Sequence, residues 1–134
     1  MEKGIFARYK NKTFRVSTID GETVRLVSEE SNISEGFKEL IYPSNYKDRN
    51  NLPTLYIKEV KKVEIEEIYE VDYKAKFRGE KFNLSFNKAG SEFRLGTMHA
   101  ELANQYGFER TDKYYYEKIV NENEIEVIEV QKKL

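Results

Sequence analysis

The stretch Lys62 to Phe86, KVEIEEIYEVDYKAKFRGEKFNLSF, decides the reading of this chain. Apolar residues alternate at Tyr69, Val71, Tyr73, Ala75 and Phe77, the period-2 pattern of a strand with one buried face. Arg78-Gly79-Glu80 supplies a turn, and Phe82, Leu84 and Phe86 resume the alternation on a return strand. The stretch reads as the end of one structural unit and the start of a second copy of it. If Tyr73 and Phe82 are buried in this way, replacing either by Ala should cost ~3–5 kcal/mol.

Working outward, the N-terminal side repeats the pattern. Ile5, Ala7 and Tyr9 alternate, Lys10-Asn11-Lys12 turns, and Phe14 and Val16 alternate back. Asp20-Gly21-Glu22 is a second hairpin turn, because glycine tolerates φ > 0 there. Val24 and Leu26 mark a third strand. Ile33 to Leu40 is expected to hold a short helix capped by Ser31 or Asn32. Tyr42 to Pro53 reads as an exposed loop, and Thr54 to Val60 returns as a strand. The alternation slips by one residue over Val63 to Ile68, which predicts a bulge or one helical turn. On the C-terminal side Met98 to Tyr106 is predicted as an amphipathic helix with Met98, Leu102 and Tyr106 on one face, Thr97 as N-cap and Gly107 closing it. Tyr114 to Val120 and Glu124 to Val130 are expected to form a hairpin across Asn121-Glu122-Asn123.

The two halves align. Tyr9 to Ser17 matches Phe77 to Ser85 at a constant offset, Val24-Arg25-Leu26 matches Phe93-Arg94-Leu95, Gly36-Phe37 matches Gly107-Phe108, and Glu64-Ile65-Glu66 matches Glu124-Ile125-Glu126. The expected fold is therefore α+β, mostly β: two tandem copies of a bent antiparallel β-β-β-α-β-β unit with SH3-like or half-barrel sheets. Neither copy is large enough to bury a full apolar face alone, so they should pack as a single domain over residues 1–134, with pseudo-repeats at 5–72 and 73–130.

Composition narrows the function. In 134 residues, 39% are apolar and 35% charged, and ten Tyr and eight Phe supply the large buried areas. A net charge of −1 argues against a general binder of nucleic acid or anionic membranes. With no cysteine there are no disulfides, thiolate metal sites or cysteine nucleophiles. The N-terminus lacks the apolar run of a signal peptide, and no segment approaches the ~18 apolar residues of a spanning helix, so a cytoplasmic protein is expected.

Candidate chemistry is sparse. His99 is the only histidine and has no nucleophile signature near it. The loop Ser44 to Asn51 lacks the ligand spacing of a calcium site, and no glycine-rich phosphate loop is present. Glu64/Glu66 and Glu124/Glu126, if on strands, pair on one side, and such pairs are usually hydrated surface. The expectation is a non-enzyme with no cofactor and no metal.

Charge is segregated. Between Lys58 and Asp72 stand Glu59, Glu64, Glu66, Glu67, Glu70 and Asp72 against three lysines, whereas the first hairpin carries Lys3, Arg8, Lys10, Lys12 and Arg15. An acidic face suits a basic protein partner, and Tyr114-Tyr115-Tyr116 must expose at least one ring, a favoured interface anchor. The candidate partner-binding residues are Glu64, Glu66, Glu67, Glu70, Asp72, Tyr114, Tyr115 and Tyr116. An alternative is a small β-module that binds peptide or single-stranded nucleic acid through Tyr9, Phe14, Phe77 and Phe82.

Three motifs, Y-K-x-K-x-F-x-V (Tyr9 to Val16), E-I-E-E-I-Y-E-V (Glu64 to Val71) and Y-x-A-x-F-x-G-E-x-F (Tyr73 to Phe82), resemble those of immunity proteins from bacterial polymorphic-toxin and contact-dependent inhibition systems. The resemblance implies a cytosolic protein that binds and blocks the toxic domain of a sibling cell's effector, commonly a nuclease and so a basic partner. Its motifs are structural and carry no functional residue across.

Overall fold

The computed structural model describes residues 2–30, 35–46, 51–87 and 89–134. The chain is mostly β, antiparallel, with one short α-helix among the described residues. It forms two compact units, Gly4–Glu70 with Lys132–Leu134, and Val71–Gln131 with Glu2 and Lys3.

In the first unit β1 (Gly4–Tyr9), β2 (Lys12–Asp20), β3 (Thr23–Ser28), β4 (Lys38–Glu39) and β5 (Tyr56–Lys61) are joined by the start of β6 (Glu67–Phe77), in the order β4-β5-β3-β2-β1-β6. The register places Ala7 opposite Phe14, Val16 opposite Leu26 and Val24 opposite Val60. These residues, with Tyr9, Phe37 and Ile68, are the buried core. The first turn takes Lys10 and Asn11 to φ 50° and 63°, the left-handed geometry that matches the twist of a two-residue hairpin. Buried Tyr9 keeps a partner for its hydroxyl, which accepts from Lys58 Nζ at 3.0 Å.

The slip in alternation after β5 is a single 3-10 turn, Lys62–Glu64. The buried phase of β6 also shifts, from Ile68 to Val71, Tyr73, Ala75 and Phe77. Tyr69 therefore leaves the buried series in which its spacing placed it; its ring instead lies 6.1 Å from that of Phe6. The helix expected over Ile33 to Leu40 is corrected where it is described: Lys38–Glu39 pairs as a strand with Ile57 and Tyr56. The proposed caps Ser31 and Asn32 lie outside the described residues.

The second unit holds the rest of β6, β7 (Glu80–Phe86), β8 (Phe93–Thr97), α1 (Ala100–Gln105), β9 (Glu109–Asp112), β10 (Tyr115–Val120), a 3-10 turn (Glu122–Glu124) and β11 (Glu126–Lys133) up to Gln131. Strand order is β6-β7-β8-β10-β9, with β11 also on β6. Ala75 faces Phe82, Leu84 faces Leu95, and Phe93 faces Val120. Rings fill the interior: Phe82 lies 4.9 Å from Phe108, and Tyr106 meets Phe77 and Phe82 edge-on at 6.0 and 6.3 Å.

Two expectations change here. The hairpin across residues 121–123 is not how the strands pair: β10 bonds to β8 and β9, and β11 to β6. The helix begins two residues later than its apolar spacing suggests. His99, not Thr97, is the N-cap, its Nδ1 accepting from the Leu102 N–H at 3.1 Å, while Thr97 Oγ1 accepts from the His99 N–H. Met98 thus lies outside the helix and is exposed. At the other end Gly107 takes φ 75°, and Phe108 N–H reaches the Ala103 carbonyl at 2.9 Å, the six-to-one bond that closes a helix through a left-handed glycine.

Candidate functional site

The structure sorts the acidic candidates by what they already hold. Glu64 caps its own 3-10 turn, accepting from the Lys61 N–H at 2.9 Å. Glu66 accepts from the Asn11 N–H at 3.0 Å and so ties down the β1–β2 turn. Asp72 accepts from the Tyr73 N–H at 2.8 Å and pairs with Lys3 Nζ at 3.3 Å. Partial burial pushes the Asp72 carboxyl up, but that N–H and the Lys3 ammonium outweigh it and hold the group below the usual aspartate value. Glu67 is half-buried and Glu70 exposed. The acids of this segment are thus mainly structural, and Glu64 and Glu124 sit in 3-10 turns rather than as strand pairs with Glu66 and Glu126.

The tyrosines fare differently. Tyr114 lies in the turn before β10 and is 67% exposed, with Lys113 Nζ 5.4 Å from its ring centre. A register shift between Tyr115 and Tyr116 separates these half-buried neighbours. Tyr115 lies across Gly96: a Cβ built on that glycine would fall 1.9 Å from the tyrosine hydroxyl. Asn83 Nδ2 donates to the same hydroxyl at 3.3 Å. Tyr116 faces Thr97 on β8 and Arg110 on β9.

Around Tyr115, strand alternation gathers a surface that the sequence did not reveal. Glu117 faces Gly96 on one side and Glu109 on the other, and Ile119 faces Arg94. Arg94 lies 3.6 Å from Glu92 and 3.9 Å from Glu117. The three line an open depression of about 250 Å³ together with Ser85, Phe86 and Asn87. Met98 (72% exposed) and Ile119 (59%) join Tyr114 as large apolar side chains in water. Their signal was obscured because Met98 fitted a helical spacing and Ile119 a strand alternation.

The remaining candidates are placed plainly. His99 uses Nδ1 to cap α1. No group of three or more His, Asp or Glu side chains able to hold a metal occurs among the described residues, and part of the Ser44–Asn51 loop lies outside them. Tyr9, Phe14, Phe77 and Phe82, offered as stacking aromatics, are buried core. No helix among the described residues is long and apolar enough to cross a membrane.

The family described as uncharacterised conserved protein UCP033725 matches residues 1–134. The chain belongs to that family. No curated protein and no solved structure matches it. In this UCP033725 chain Ile119 on β10, and Met98 and Tyr114 just beyond the ends of β8 and β10, are exposed, while Glu109 and Glu117 pair across β9 and β10.

Proposed function

We propose that this chain is a non-catalytic binding protein, an immunity protein that neutralises a cognate toxin, with a basic nuclease domain as its partner. The supporting observation is the surface on β8–β10: Met98, Tyr114 and Ile119 exposed beside Glu92, Glu109, Asp112 and Glu117. Ile119 stands at the far end of β10 from Tyr114 and Met98; single exposed apolar residues are ordinary, and the weight of the reading falls on Tyr114, an exposed aromatic of the kind that anchors interfaces. Carboxylates there can pair with a cationic domain, with Arg94, Arg110 and Lys113 in the same region bringing the local charge close to balance. The test is co-expression with the toxin encoded by the neighbouring reading frame. Co-purification and rescue of growth are expected; a toxin that neither binds nor is silenced would remove the reading.

The two units are, in this reading, copies of one bent β-β-β-β-β motif whose middle connection is helical in the second unit. Several paired geometries support it. Tyr9–Phe14 rings lie 6.5 Å apart at 57° and Phe77–Phe82 at 6.3 Å and 62°. Phe14–Phe37 lie at 5.0 Å and 33°, Phe82–Phe108 at 4.9 Å and 36°. Lys10-Asn11 and Arg78-Gly79 both turn with positive φ, and Lys61…Glu64 and Asn121…Glu124 close equivalent 3-10 caps. Transplanting Arg-Gly into positions 10 and 11 should then leave stability within about 0.5 kcal/mol of the parent; a larger loss would count against equivalence.

A further inference from the structure

We propose that two copies of this chain associate through the open edge of β11, strand against antiparallel strand about a two-fold axis. This is independent of the toxin-binding reading and uses none of its residues. Among the described residues β11 pairs with β6, and it runs as one unbroken strand from Glu126 to Lys133. The Leu134 N–H donates to the Ile68 carbonyl at 3.0 Å. Strand alternation therefore turns the backbone groups of Ile128, Val130 and Lys132 toward β6, and those of Val127, Glu129, Gln131 and Lys133 outward. The Tyr73 hydroxyl, donating to Glu129 Oε1 at 3.1 Å, fits the same register. From Glu129 to Leu134 every residue is exposed, Val130 at 40% and Leu134 at 56%. The outward edge is thus a row of open donors and acceptors of the kind that takes on a further strand.

The charges along β11 select the occupant. Glu126 and Glu129 come first and Lys132 and Lys133 follow, so the strand is complementary to its own reverse. Lys132 and Lys133 form no ion pair among the described residues, and the donors to Glu129, the Tyr73 hydroxyl and the Gln131 amide, are neutral. With the axis at Gln131, Glu129 stands opposite Lys133 of the second copy and Ile128 opposite Leu134 of the second copy, and the symmetry repeats both pairs. An axis at Glu129 would set two carboxylates face to face, and one at Val130 would put Lys133 against Val127. A uniformly basic or acidic peptide would suit one half of the strand and repel the other. Because the two-fold contact consumes the edge on both copies, assembly closes at the dimer. One strand pair covers little area, so the dimer should be weak.

The test is sedimentation velocity of the full chain from about 5 to about 500 µM, a range that reaches the weak association expected of so small a contact. The weight-average mass should rise from that of one chain toward that of two. Gln131→Pro removes an N–H that points away from β6, so it should hold the chain at one mass throughout, with thermal unfolding showing the monomer still folded. Glu129→Lys and Lys133→Glu, as separate single variants, each set like charges opposite one another in both symmetry-related pairs. Each alone should self-associate about tenfold more weakly than the parent. Mixed together they place opposite charges in both pairs, and association should return to the parent's strength. A mass that stays at one chain up to about 500 µM, growth beyond two chains, indifference to Gln131→Pro, or a mixture no stronger than its components would overturn the proposal.

Discussion

Phe37 packs against Phe14, ring centres 5.0 Å apart with 33° between planes, and both are buried. Phe37 arrives from the turn at Gly36 and plugs the first unit's core above the β1–β2 hairpin. Phe37→Ala should therefore cost ~3–5 kcal/mol. Phe108→Ala should cost a similar amount in the second unit, where its ring meets Phe82 at 4.9 Å. Urea unfolding followed by circular dichroism measures both.

Gly96 and Tyr115 should be coupled. A methyl group on Gly96 collides with the Tyr115 side chain, so Gly96→Ala should destabilise by about 1–3 kcal/mol. In a Tyr115→Ala background the same change should be neutral or stabilising, because alanine suits a strand better than glycine once the space is free. A double-mutant cycle by thermal denaturation gives the coupling directly.

Acid and alkali should act through different groups. The Asp72 carboxyl is held below its ordinary value of 3.8 in the folded chain, so its contribution is complete above that pH and is lost as pH falls through the folded value. Asp72→Asn should flatten the acid limb of the stability–pH curve. Burial pushes the Tyr73 phenol above its ordinary value of 10.0; the Glu2 N–H opposes this, and Glu129 adds to it. That contribution is present below pH 10.0 and lost as pH rises through the folded value. Tyr73→Phe should remove it, as read by chemical denaturation across the alkaline range.

Tyr114→Ala and Ile119→Ser should leave stability within about 0.5 kcal/mol of the parent, because both side chains are largely in solvent. Each should weaken binding of the protein partner tenfold or more if it anchors the interface. Isothermal titration with the purified toxin domain is the measurement.

The core was legible because half-buried strands write alternation into their letters, as at Tyr73, Ala75 and Phe77. Tyr69 was not, because Ile68 and Tyr69 are both apolar and either phase satisfies the pattern; only the neighbouring strand decides. Met98 fitted the spacing to Leu102, but a histidine cap one residue later excluded it from the helix. For the acids, sequence gives charge and not the donor met: Glu64 and Glu66 proved occupied by backbone N–H groups. Asn121 followed three residues later by Glu124, whose carboxylate accepts from the Asn121 N–H, was a readable hint of such a turn.

β4 ends the strand order of the first unit and β9 that of the second; they run for two and four residues, and charged side chains (Lys38, Glu39, Glu109, Arg110, Asp112) dominate them. A neighbouring molecule meets too short a row of open backbone donors and acceptors there to lengthen either ladder. Strand addition at β4 or β9 should accordingly be disfavoured, which leaves the eight-residue β11, paired with β6, as the longer margin where such growth would start.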